Sequence, residues 1–541
     1  MKNKLAVGLV GVGSLLVAVA LCLESDTGWW LGMGVGLLTA FAGLAIMVHK
    51  ADRQAYWLMQ VQVLLLVGFL ALAMQLVRFQ LIEVRAVMAG SENPLVRGDP
   101  RDQMLEETSY RGALLDRHGT VLARSVPAEG VFRREYPPGR WGNLLGYYSP
   151  RFVGKAGLEL SLDQLLSGRR GNGITGLAYR ALGRRAPGND VWLTLDARLQ
   201  QKADSLLGGR GGAVVLLDAQ TGAILVASSS PDFSPSELSD DFSKGREQDA
   251  QRVMSNWQRL ARRNDAPLIN RALQGLYPPG SVFKTVTLLA ALASGQLTMD
   301  SMFTDAGSLN VGGHVIADPN RPDPIRTRYT LEEGYIWSLN AVFAQAALRV
   351  GRAPLEATAR ALGFGTMPLE DFPAAVSLLY HDPHFLEKDA GLADTGFGQG
   401  QILATPLQMA MVAMAVANEG ELPVPHFLEK VVTRQGEVTF IYQARAKRSI
   451  DRDVALKAKA VMVESVRSGW ARAAALPGVG VAGKTGTAEN PQGSPHAWFI
   501  GFAPVERPRY VVAVVIENGG DGASVALPVG REMLQRALES Q

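Results

Sequence analysis

A chain of 541 residues with 47% hydrophobic and 19% charged residues is too apolar to be disordered and too long for one average domain. Its 54 basic and 51 acidic residues leave a net charge of +3, which excludes the broad positive field of a nucleic-acid binder.

Three apolar runs open the chain: Leu5 to Leu23, Trp29 to Val48 and Tyr56 to Val77. Each is about long enough to cross a hydrocarbon core as a helix. The first also carries the marks of a cleaved signal, with Lys2 and Lys4 before it and Ala18-Val19-Ala20 within it, but the two later runs hold the chain in a membrane either way. Lys2 and Lys4 place the N-terminus in the cytoplasm. The connector with Glu24 and Asp26 then lies outside and His49-Lys50-Ala51-Asp52-Arg53 inside, so the chain beyond about Arg78 is expected on the outer face of the cytoplasmic membrane. The single cysteine, Cys22, has no disulfide partner, and Leu21 before it argues against a lipoprotein signal.

The expected organisation is a membrane region over 1–82, a non-catalytic module over 83–189 and a catalytic domain over 190–541. Tyr110 to Arg185 is rich in Gly, Arg and Pro with only short apolar pieces, whereas a strand over Val191 to Leu195 and a helix over Asp196 to Leu207 mark a change near Asp190. Gly212 to Leu217 and Ala223 to Ser228 flank a turn-rich connector and predict a hairpin. Ser234 to Asp265 is polar and reads as a mobile surface insertion. Thr330 and Glu333, at capping-box spacing, open a helix-like stretch to Val350. Ala497 to Phe502 and Tyr510 to Glu517 predict a second hairpin, and Pro528 to Glu539 a closing helix, so the core is mixed α/β.

Three short segments could carry chemistry. In Tyr277-Pro278-Pro279-Gly280-Ser281-Val282-Phe283-Lys284 a turn leads into a helix at about Ser281, and residues three apart share a helix face, so Lys284 can serve Ser281 as a base. That lysine must be neutral, which requires burial or a nearby cation. Taken alone, the pattern is also that of a helix cap with an exposed lysine. Ser338 and Asn340 are polar positions inside an apolar helical stretch; alone, they could simply brace a core. Gly483-Lys484-Thr485-Gly486-Thr487 would set Lys484 and Thr487 beside a substrate, with Gly486 allowing close approach and Lys484 as the cation sought; alone it is also a solvated Gly-rich turn. Gly478 to Thr485 fits a phosphate-loop pattern, but neither a strand before it nor a helix after it is expected. The 7 histidines form no metal-binding spacing, so neither a metal nor a cofactor is expected.

Ser281-x-x-Lys284, Ser338-x-Asn340 and Lys484-Thr485-Gly486-Thr487, in this order, resemble the three motifs of penicillin-binding proteins and serine β-lactamases. Arg111 to Gly119, Gly146 to Ser149, Gly157-Leu158-Glu159, Phe397 to Gly400 and Thr405 to Gln408 look like class B penicillin-binding proteins, the monofunctional transpeptidases. The resemblance implies a pedestal module and a transpeptidase fold, an antiparallel sheet flanked by helices, with Ser281 starting a central helix. It implies that Ser281 attacks the penultimate D-alanine of a stem peptide while Lys284 takes its proton. Ser338 and Asn340 would relay protons and position Lys284. Lys484, Thr485 and Thr487 would bind the terminal carboxylate, and the N–H groups of Ser281 and Thr487 would form the oxyanion hole. β-Lactam antibiotics would inhibit, and a polytopic membrane glycosyltransferase would be the partner. A D,D-carboxypeptidase or β-lactamase is the alternative enzyme, and a non-catalytic penicillin-binding receptor or scaffold the alternative of another class. The chain departs from the family in having three apolar runs where one membrane helix is usual, and in Leu339 within the middle motif.

Overall fold

The computed structural model describes residues 106–128, 130–172, 176, 179, 186–241, 245–318, 321–491 and 493–540, with four isolated positions, Val12, Gly13, Val35 and Thr39. Apart from those four, the three apolar runs and Cys22 lie outside the described residues. Among the described residues no helix is long and apolar enough to cross a membrane. Residues 103–179 and 184–541 make up one compact unit, and 1–102 with 180–183 another. The first of these carries the site.

Its N-terminal part contributes strands β1 (Leu114–Leu115), β2 (Val121–Ala128) and β3 (Val131–Glu135). Strand β4 (Asp190–Leu193) pairs in parallel with β1, so the two expected outer domains share one six-stranded sheet. Behind it Glu159, fully buried, accepts from Arg111 Nε at 2.7 Å and Arg134 Nε at 2.6 Å. Helix α1 (Ala197–Leu207) follows, capped by Asp196, whose carboxylate accepts from Arg198 N and Leu199 N.

The catalytic sheet is antiparallel and five-stranded. It is built from β5 (Gly212–Asp218), β6 (Ile224–Ser230), β7 (Ala482–Ala488), β8 (His496–Ala503) and β9 (Tyr510–Ile516), in the spatial order β7-β8-β9-β5-β6. Both expected hairpins are present, with Val215 opposite Ala227 and Phe499 opposite Val514. The strands are apolar almost throughout because both faces are covered. Val214, Leu216, Phe499, Val512 and Val514 pack with Leu527, Met533 and Leu534 of the C-terminal helix, whereas Val215, Leu217, Ile500, Val511 and Ala513 belong to the opposite core. That opposite core includes the fully buried helix Pro406–Ala417, where the Thr405 hydroxyl accepts from Gln408 N and Pro406 occupies the first turn.

Three expectations are corrected. Ser234 to Asp265 is not an irregular loop: it contains the 16-residue helix Arg246–Ala261, which buries Val253 and Leu260 against the body through few apolar positions, too few to show as a period in sequence. The closing helix spans Gly522–Glu539, six residues longer than expected, because Asp521 caps it by accepting from Ser524 N and Pro528 lies inside it. Thr330 to Val350 is two helices, Leu331–Ile336 and Asn340–Val350, broken at Ser338, which has φ +59°. The Thr330/Glu333 capping box is formed as expected.

Candidate active site

Pro278, Pro279 and Gly280 deliver the chain into a tight turn over Gly280–Phe283 that runs into the helix Lys284–Ala293, buried along nearly its whole length. Gly280 has φ +55°, and a Cβ there would lie 2.7 Å from Thr487 O. Only glycine lets the nucleophile's turn sit this close to β7. On the strand side Gly486 plays the matching part, since a Cβ would meet Val282 Cγ1 at 3.0 Å. Trp498 Nε1 donates to Pro278 O at 3.0 Å and ties the turn to the sheet.

The three motif segments converge. Lys284 Nζ donates to Ser338 O at 2.5 Å, to Asn340 Oδ1 at 2.8 Å and, less closely, to Ser338 Oγ at 3.3 Å. Lys484 Nζ donates to Ser338 Oγ at 2.8 Å and to Thr485 O at 3.0 Å. The break in the helix at Ser338 turns its carbonyl and hydroxyl toward the lysines, which an unbroken helix would not do. Among the described residues Ser281 Oγ has no hydrogen-bond partner, and the expected contact to Lys284 is not made in this state. Such contacts often tighten only when substrate is bound.

Both lysines have no exposed surface. Burial lowers the Lys284 pKa to about 7, while the carboxylates of Asp318 and Asp305 oppose it. Lys484 lies well below its ordinary value, through burial and then the charge of Lys284. Of the two expected causes, burial is the one that lowers Lys284, and Lys484, itself shifted down, is not among the charges that act on it. Two like charges sharing the Ser338 hydroxyl also disfavour double protonation.

A neutral amine has two N–H groups and one lone pair. If the N–H groups go to Ser338 O and Asn340 Oδ1, the lone pair is free to receive a proton. Ser281, Ser338, Asn340, Thr485, Gly486 and Thr487 line one open cleft of about 880 Å³, with the lysines beneath its surface. Lys484 and Thr485 lie in strand β7, with no helix after it, so the phosphate-loop pattern is accidental. No group of three or more His, Cys, Asp or Glu side chains that could hold a metal occurs among the described residues.

The cleft also contains residues that no local pattern announced. Trp470 Nε1 donates to Trp337 O at 3.0 Å, and the two rings meet edge to face at 6.1 Å along one wall. His314 Nε2 lies 2.9 Å from Asp394 Oδ1 at another. Asp318, far from every motif, touches the backbone of Asn340. These arise from packing between distant segments, which sequence spacing does not encode.

Comparison with known proteins follows the same lines. The penicillin binding protein transpeptidase domain matches residues 212–535, and the penicillin binding protein A dimerisation domain matches residues 111–191. Peptidoglycan D,D-transpeptidase PbpA of Mycobacterium tuberculosis is 35% identical over 473 residues, covering 82% of this chain and 93% of that protein. Peptidoglycan D,D-transpeptidase MrdA of Acinetobacter baumannii is 30% identical over 416 residues, 70% of this chain and 60% of that one. The structure of penicillin-binding protein A from M. tuberculosis as its penicillin G acyl-enzyme complex superposes with a TM-score of 0.70 at 33% identity, covering 80% of this chain and 100% of that one. With its fold, its motif geometry and these relatives in agreement, the chain belongs to the penicillin-binding protein transpeptidase family.

Proposed function

We propose that this chain is a peptidoglycan D,D-transpeptidase that cross-links stem peptides through an acyl-enzyme on Ser281. The observation that carries the reading is the buried Lys284, held on Ser338 and Asn340 one helical turn from Ser281 with a pKa of about 7. Ser281 Oγ attacks the carbonyl carbon of the penultimate D-alanine, and its proton passes to the Lys284 lone pair. The oxyanion that forms is met by the N–H groups of Ser281 and Thr487. The peptide bond then breaks, and the terminal D-alanine leaves with a proton delivered through Ser338. The amine of a second stem peptide attacks the ester carbonyl, and Ser281 regains its proton as the cross-link forms. Thr485 and Thr487 hold the terminal carboxylate at the cleft surface, with Gly486 giving it room, while Lys484 acts from beneath through its bond to Ser338.

The same reading assigns 1–82 to a membrane anchor in a bacterial cytoplasmic membrane, 83–189 to a pedestal and 190–541 to the transpeptidase domain on the outer face. β-Lactams inhibit by acylating Ser281. The apolar runs suit a polytopic glycosyltransferase partner that supplies the glycan; failure of any such protein to co-purify with the full chain in mild detergent counts against it. The reaction itself is tested with a donor pentapeptide and an acceptor amine. D-Alanine release is expected to match cross-linked product, and release without cross-linking would make the protein a carboxypeptidase instead.

A further inference from the structure

The helix Asn340–Val350 begins at a residue that cannot cap it. Leu339 occupies the cap position and has no side-chain acceptor. The first N–H groups of a helix nevertheless need partners. Here the acceptor comes from another part of the chain: Asp318 Oδ1 accepts from Asn340 N at 2.6 Å, and Asp318 Oδ2 from Ala341 N at 2.5 Å. Asp318 itself follows the strand His314–Ala317, hairpin partner of Ser308–Val311, and is pinned there by Asp318 N donating to Gly307 O at 2.9 Å.

The same strand end also grips the Asn340 side chain. Asn340 Nδ2 donates to Ala317 O at 3.1 Å, which leaves Oδ1 as the face of the amide that meets Lys284 Nζ at 2.8 Å. Asp318 is 6% exposed. Burial raises its pKa to about 6, against the pull of Lys284 and the two N–H groups. Its carboxylate is in turn the stronger of the two charges that oppose the loss of the Lys284 proton, Asp305 being the other. The other groups around the two lysines are Lys484, which shares Ser338 Oγ with Lys284, the Phe343 ring 5.8 Å from Lys284 Nζ and the Tyr335 ring 5.6 Å from Lys484 Nζ.

We propose that Asp318 is a positioning residue for acyl transfer, which through the backbone and amide of Asn340 aims the Lys284 amine and through its charge governs when that amine is free of its proton. The inference deepens the assignment of Lys284 as the base and rests on it. Two requirements are met by one carboxylate: a rigid acceptor for Lys284, and a counter-charge that keeps the ammonium tolerable once the Ser281 proton has arrived.

The test is the second-order rate of acylation by a fluorescent penicillin, measured on the full chain in detergent from about pH 5 to pH 9. Asp318→Asn removes the charge and one of the two acceptors. Its plateau rate is expected to fall about 10- to 100-fold, and its acid limb to move to lower pH because the charge that favoured the ammonium is gone. Asp318→Glu keeps the charge on a longer stem, so its limb is expected near the wild-type position while its plateau falls. An unmoved limb in Asp318→Asn, or wild-type plateaus in both variants, overturns the proposal. Should Asp318→Asn fail to fold, the Asp318→Glu plateau decides alone. Lys284→Met separates the two levels: wild-type acylation in that variant would sink the base assignment, whereas an essential Lys284 with an indifferent Asp318 would sink only this inference.

Discussion

Lys284→Met is expected to acylate with penicillin roughly 10²- to 10⁴-fold more slowly than the wild type, the range a positioned general base contributes. Methionine has similar length and no polar head, so the buried helix Lys284–Ala293 keeps its packing while the proton acceptor disappears. The pH dependence carries the sharper prediction. Below about pH 7 the wild-type amine holds its proton and cannot accept another, so acylation should rise with pH through that region and then level. The variant should lack this limb. Stopped-flow acylation at a series of pH values measures both effects. A variant with the same limb as the wild type would assign the titration to another group.

Glu159→Ala is expected to cost about 3–5 kcal/mol of stability in chemical denaturation, the penalty for removing one partner from a buried charge network. Burial alone would push the Glu159 pKa up, but Arg134 and Arg111 overcome it and hold the carboxyl below its ordinary value. Its contribution is therefore present above the unfolded carboxyl pKa and lost as pH falls through the folded one. Without it two guanidinium groups remain, with side chains only 4% and 1% exposed: Arg111 keeps Asp163 at 2.5 Å, but Arg134 keeps only carbonyl and hydroxyl contacts. Glu159→Gln should lose less, since its amide oxygen still accepts from one arginine. A loss under about 1 kcal/mol for the alanine variant would show that water reaches the site and that the network is not closed.

Much of this was legible in the chain because it is written locally. Apolar runs on either side of a turn-rich connector marked the two hairpins of the catalytic sheet, and a lysine from each of the outer motifs meets the Ser338 hydroxyl. The gaps arise where distant segments act. Apolar spacing continues across Trp337 to Leu339, so Thr330 to Val350 reads as one helix; in the structure Ser338 takes up φ +59° and the helix restarts at Asn340, capped by Asp318 from 22 positions away. A neutral Lys284 called for burial or a nearby cation, and the choice falls to its depth in the core, which is a property of the packed molecule. Pro528 invited a helix start, which the cap at Asp521 places a turn and a half earlier.

The most direct test of the account is intact mass after incubation with a fluorescent penicillin, on the wild type and on Ser281→Ala. A single stoichiometric adduct on the wild type, mapped to Ser281 and absent from the folded variant, is the predicted result. An adduct that survives Ser281→Ala, or a folded wild type that forms none, would contradict an acyl-enzyme at this serine.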